Sequence, residues 1–164
     1  MTPFSDIPAL LLGPFDGRDE GAWAKAPNGV WSPGQVVEHV TNSLELSAQN
    51  LRSRVDKPPM ERRPRLLKQA IFWWIVSRTG YFGPRRRAPE TTLPSAQPDR
   101  ATTERRLRAA MAAFQALERE LLPARASNLF LKHPVFGDLT LPEWMTFHVR
   151  HATHHARQVR QRLG

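Results

Sequence analysis

Two helix-start signals restrict what this chain can fold into. At Ser32-Pro33-Gly34-Gln35 and at Thr140-Leu141-Pro142-Glu143, a hydroxyl residue precedes an amide or carboxylate by three positions, with proline between them. In such a capping box each side chain satisfies a backbone N–H that the helix leaves unpaired. Proline costs nothing there, because its missing N–H has no intrahelical acceptor. The first signal predicts a helix from Ser32 to about Arg54, ended by Lys57-Pro58-Pro59. Val36, Val40, Leu44 and Leu51 form its apolar stripe, with small Ser47 among them. The second predicts a helix from Thr140 to about Leu163.

Two further stretches share the helical period. A short one runs from about Ser5 to Leu12 and should break at Gly13-Pro14, after which a loop or short helix carries Trp23 toward Trp31. A long one runs from about Arg100 to Leu122 and ends at Pro123, with Leu107, Met111, Phe114, Leu117, Leu121 and Leu122 at helical spacing. Arg65 to Ser77 could form an extra helix, apolar nearly all round at Ile71 to Val76. Gly80 to Pro98, rich in proline and arginine, reads as a long loop. Few segments look like strands. The expectation is an all-α bundle forming one domain over residues 1–164, with an extra helical segment and a long loop between the second and third core helices.

Composition narrows the chemistry. The chain has no cysteine, so disulfides, thiolate zinc sites and cysteine nucleophiles are excluded. Any metal must take nitrogen or oxygen ligands. The first fifteen residues carry no basic region or cleavage site of a signal peptide, and the longest apolar run is too short to span a bilayer. A cytoplasmic protein without a membrane span is expected. The net charge of +9 is concentrated: Arg52 to Arg87 holds eleven Lys or Arg against Asp56 and Glu61, and 11 − 2 equals the whole excess. Such a segment could meet nucleic acid or another anionic partner, but charge runs are more often solvated faces, so nucleic acid is disfavoured. Phe72, Trp73 and Trp74 are expected to cover the bundle or to form a homodimer interface.

Four of the six histidines fall in His148-Val149-Arg150-His151-Ala152-Thr153-His154-His155. With His148 at zero on a helical wheel, His151 falls at about 300° and His155 at about 340°, on the flank of the apolar face, whereas His154 turns away at about 240°. Residues at i and i+4 point the same way one turn apart, which suits a shared metal ion. The pair lacks the Glu of a His-Glu-x-x-His protease helix, and no Glu-x-x-His pair of a di-iron bundle is present. His39 lies at the edge of the second helix's stripe and can face the pair, and the three would then supply nitrogen ligands with an open position; the other reading is of hydrogen-bonded core or surface histidines. His148 is a candidate neighbour of the site, and Gln158, at about 280°, a candidate partner for a ligand. His133, before Pro134 in a loop, reads as structural. Glu38 points away from the predicted core face.

Two segments together resemble the DinB-like superfamily. Val30-Trp31-Ser32-Pro33-Gly34-Gln35-Val36-Val37-Glu38-His39-Val40 resembles its Trp-Ser stretch, which starts the second helix and delivers a histidine. His133-Pro134-Val135-Phe136-Gly137-Asp138-Leu139-Thr140-Leu141-Pro142-Glu143-Trp144, followed by His151 to Gln158, resembles its final helix and lead-in. The resemblance implies a four-helix bundle holding a divalent metal (zinc, nickel or manganese) on His39, His151 and His155. It also implies a small-molecule substrate and either a hydrolase or a transferase using a low-molecular-weight thiol. No side chain stands out as a general base, so water or a thiolate activated by the metal takes the catalytic part. The alternative is a non-catalytic binding module whose segment 52–87 meets an anionic partner, with a structural metal.

Overall fold

The computed structural model describes residues 2–26, 29–57, 61–83, 87–121 and 128–164. The expected terminators Pro58, Pro59 and Pro123, stripe residue Leu122 and bases Arg85 and Arg86 lie outside the described residues. Among the described residues there are six α-helices: α1 (Ile7–Leu12), α2 (Gly21–Ala24), α3 (Pro33–Val55), α4 (Leu67–Thr79), α5 (Arg100–Glu120) and α6 (Leu141–Leu163). A hairpin of β1 (Phe130–His133) and β2 (Gly137–Thr140) precedes α6.

Both capping boxes form. Gln35 N–H donates to Ser32 Oγ at 3.1 Å while Ser32 N–H donates to Gln35 Oε1 at 2.8 Å. At the start of α6, Glu143 Oε2 accepts from Thr140 N–H at 2.9 Å. α1 is extended by 3₁₀ turns at Phe4–Asp6 and Gly13–Phe15. The α-helix ends at Leu12, as expected, and Gly13-Pro14 open a 3₁₀ turn in which proline's lack of an N–H does no harm.

α1, α3, α5 and α6 make the bundle. α3 packs against both α5 and α6, and α1 closes the other side against the same two helices. Val36, Val40, Leu44, Ser47 and Leu51 of the α3 stripe are all buried, as are Leu107, Met111, Phe114 and Leu117 of α5. α2 seats Trp23 on this core. Its indole N–H donates to Pro98 O at 2.7 Å, and its ring lies where a Cβ on residue 34 would be, so glycine at that position permits the approach.

α4 is the extra helix, displaced two residues toward the C-terminus from the expected span. Gly80, at φ 69°, closes it in the left-handed conformation and donates to Val76 O at 2.8 Å. α4 packs on α6 with Val76 buried and Phe72 and Trp73 half-buried, while Ile71 and Trp74 are exposed. Trp73 meets Phe136 and lies under the Arg65 guanidinium. Part of the basic segment is neutralised within the chain. Arg62 and Arg65 both pair with Glu143, at 2.8 and 2.7 Å, and Arg52 pairs with Glu120.

The hairpin corrects the sequence reading. Four-residue strands are too short for alternation to show, and β2 is buried along its whole length, so it has no period-two pattern. His133 ends β1 rather than standing in a loop, paired with Gly137 across the turn. Its Nδ1 accepts from Val135 N–H at 3.1 Å, and its ring stacks on Phe136. No helix among the described residues is long and apolar enough to cross a membrane.

His148 sits inside the bundle rather than at a site. It is fully buried among the rings of Phe114, Trp144 and Phe147, and neither ring nitrogen has a hydrogen-bond partner among the described residues. Burial, and the charge His133 would carry, push its pKa down to about 3 from 6.5. The folded state therefore holds it neutral while the unfolded chain takes a proton below pH 6.5, so stability is lost as pH falls from 6.5 toward 3. One such group removes about 1 kcal/mol between pH 7 and 5.5. Urea melts should show His148→Leu losing about that much less over the same interval than the parent chain.

Candidate metal centre

Three imidazoles converge where α3 crosses α6. His39 comes from α3, His151 and His155 from successive turns of α6. One ring nitrogen from each lies within 4.8 Å of the others. All three side chains are buried. His39 meets His151 and His155 edge-on, with ring centroids at 5.2 and 5.0 Å. Helix register explains the pair: one turn separates them, and both lie on the flank that α6 turns toward α3.

The hydrogen bonds decide which nitrogens carry protons. His39 Nδ1 lies 2.8 Å from Thr92 O. A carbonyl only accepts, so Nδ1 holds the proton and Nε2 keeps its lone pair. Gln158 does the same for His155. Its amide Nε2 donates to His154 Nε2 at 3.1 Å, and its Oε1 accepts from His155 Nδ1 at 2.9 Å. His155 Nε2 is therefore bare and faces His151 Nε2 at 3.0 Å. Two imidazole nitrogens this close, one already a lone pair, need a proton or a cation between them. His151 Nδ1 is buried without a partner.

Burial keeps the cluster neutral. It lowers the pKa of His39, against the opposing bond to Thr92. It lowers His151 far below the ordinary value, helped by the neighbouring His155 and His39, and brings His155 to about 3. The site thus holds unprotonated donors at neutral pH, the state a metal ligand requires. Three imidazoles at about 2.0–2.1 Å from one tetrahedral ion would stand about 3.3 Å apart, close to the spacing of the α6 pair. The donor set fits a borderline divalent ion.

Aromatic rings wall the cluster. Trp31 lies 5.1 Å from His39, Phe147 stacks on His151 at 5.2 Å, and Phe82 reaches both His151 and His154. His154 is half-buried, meets His155 edge-on with ring centroids at 5.1 Å, and is tied to the site through Gln158.

The long loop contributes more than its sequence shows. A 3₁₀ turn at Glu90–Thr92 presents the Thr92 carbonyl to His39. Four α3 side chains hold this stretch: His39 itself, Gln35 to Ser95 O and Ala96 O, Asn42 to Leu93 O, and Glu38 to the N–H and hydroxyl of Ser95. Glu38, expected on the open face, is buried because this loop and Arg106 of α5 cover it. Loop partners more than fifty residues away leave no periodic trace, so neither Thr92 nor Ser95 could be found from spacing. The repeated polar positions at 35, 38 and 42 were the available signal.

A family model of the DinB superfamily matches residues 4–159, and the chain belongs to that superfamily. Among solved structures the chain is similar to YfiT from Bacillus subtilis, described as a probable metal-dependent hydrolase with an unusual four-helix bundle topology. The TM-score is 0.63 at 18% identity, over 96% of this chain and 80% of that one. The likeness shows the four-helix bundle fold. No curated protein matches the sequence.

Two measurements follow from the proton assignments. Three histidines at the ordinary pKa would lose about fiftyfold in apparent zinc affinity between pH 7.5 and 6 through proton competition. Here all three are depressed, so a chelator competition assay should show a change of only a few-fold. Gln158→Leu, which frees the His155 tautomer, should weaken zinc binding about tenfold while leaving the thermal stability of the metal-free protein within a few degrees.

Proposed function

We propose, from membership of the DinB superfamily and the geometry of the cluster, that this chain is a divalent-metal-dependent hydrolase acting on a small-molecule substrate. His39, His151 and His155 would hold the ion. The observation that carries the reading is the pair of Nε2 atoms at 3.0 Å, one stripped of its proton by Gln158, with a third imidazole oriented toward them by Thr92. When bound, a divalent ion supplies Lewis acidity that lowers the pKa of water, or of a thiol, enough to make a nucleophile at neutral pH.

The chain's own residues do the rest. Thr92 O and Gln158 keep two of the rings in the ligand tautomer. Trp31, Phe82 and Phe147 limit water around the cluster, which strengthens every charge interaction within it. Three protein donors leave a coordination position for a reactant, whereas structural zinc sites are usually closed by four. This favours catalysis over a purely structural metal and over a binding module built on segment 52–87. Imidazole donors suit zinc or nickel better than manganese.

Hydrolysis is supported by the description of YfiT, to which the fold is similar. The same site could instead activate a low-molecular-weight thiol for transfer. That the superfamily resembled by the Trp31–His39 and His151–Gln158 segments includes thiol-dependent transferases supports that second reading.

Metal analysis of protein purified without an affinity resin should find about one divalent ion per chain, lost in His39→Ala and His155→Ala. Absence of metal, together with no rise in melting temperature on adding zinc or nickel, would overturn the proposal. Turnover by the loaded protein with water alone, or only with added thiol, separates the two chemistries.

A further inference from the structure

Arg162 lies on the same stripe of α6 as the two ligand histidines. On the helical wheel it falls at about 320°, between His151 and His155. It sits two turns beyond His155, about 10 Å along the axis, and long side chains on a helix lean back toward its N-terminus. One guanidinium nitrogen, Nη1, is buried and has no hydrogen-bond partner among the described residues.

That state is costly unless something answers it. Arginine stays charged in proteins, and a buried, unpaired guanidinium N–H keeps its desolvation penalty. Other half-buried arginines have acceptors: Arg65 pairs with Glu143, Arg100 with Glu104, Arg106 with Glu38 and Glu45, and Arg150 donates to Ser77 O. Arg162 differs in burying a nitrogen that has no acceptor among the described residues. Its last turn is also held in place, because Arg18 donates to Leu163 O at 2.7 Å and to Gly164 O at 3.2 Å. Among the described residues, the donor group at the cluster is the three imidazoles, with no carboxylate in it.

We infer that Arg162 is the anchor for an anionic oxygen group of the substrate, a carboxylate or a phosphate, held beside the three-histidine cluster. This rests on the metal-site reading above. The guanidinium fork matches either oxyanion and would fix the substrate's orientation relative to the ligand position.

The test is calorimetric titration of the zinc-loaded protein with acetate and, separately, with inorganic phosphate. Zinc affinity is measured on the same samples. The parent chain should bind at least one of the two anions, and the arm that responds identifies the group. Arg162→Gln should weaken that binding at least about tenfold. It should leave zinc affinity unchanged or slightly higher, since a positive neighbour is removed. Arg162→Lys should retain part of the anion affinity. Arg160→Gln, an equal loss of charge at an exposed position of the same turn, should change nothing.

Equal anion binding by the parent and Arg162→Gln proteins would overturn the inference and leave the metal reading intact. So would equal losses in Arg162→Gln and Arg160→Gln, or binding of neither anion by the zinc-loaded parent. Failure of the parent chain to bind zinc would overturn both.

Discussion

The seam between α3 and α6 is the contact on which the rest of the structure depends. α6 is buried along Leu141, Trp144, Val149, Ala152, Ala156 and Val159, and α3 along Val36, Val40, Leu44 and Leu51. Two small residues of α6, Ala152 and Ala156, are fully buried next to the histidines in sequence. Each capping box sets where its helix begins, and thereby the rotation at which His39 meets His151 and His155. A slip of one residue on either helix would swing its histidines by about 100° and separate the three rings.

Around that seam, the chain spends polar contacts on orienting rings rather than on adding stability. Glu38, Gln35 and Asn42 fasten a loop whose main purpose at this point is one carbonyl, that of Thr92. Gln158 spans two histidines, donating to one and accepting from the other, which leaves a single consistent proton arrangement. Burial then holds the imidazoles neutral, so no imidazolium has to be deprotonated when a metal binds. The same burial makes His148 and His133 acid-sensitive, because neither has a charge partner to support protonation.

Local signals were readable in the sequence and distant ones were not. The capping boxes, the apolar stripes and the i, i+4 histidine pair are written within a few neighbouring residues, and the structure places them as read. His39 was found because a stripe edge is also a local property. The hairpin was missed because β2 is buried on both faces and four residues carry no period. Glu38 was misplaced because its helix face is covered by a loop from far along the chain, not by another helix. Thr92 serves through its carbonyl, so its side-chain identity reveals nothing. His148 shows the limit of a wheel: the angle marks it as inward, but only packing shows that inward there means an aromatic core without a polar partner.

X-ray absorption at the zinc edge of the loaded protein tests the central claim most directly. Three imidazoles at about 2.0 Å, with the multiple scattering their rings produce, plus one light atom from outside the protein, is the expected spectrum. A shell with fewer than three imidazoles, or one filled by four protein ligands, would contradict the account.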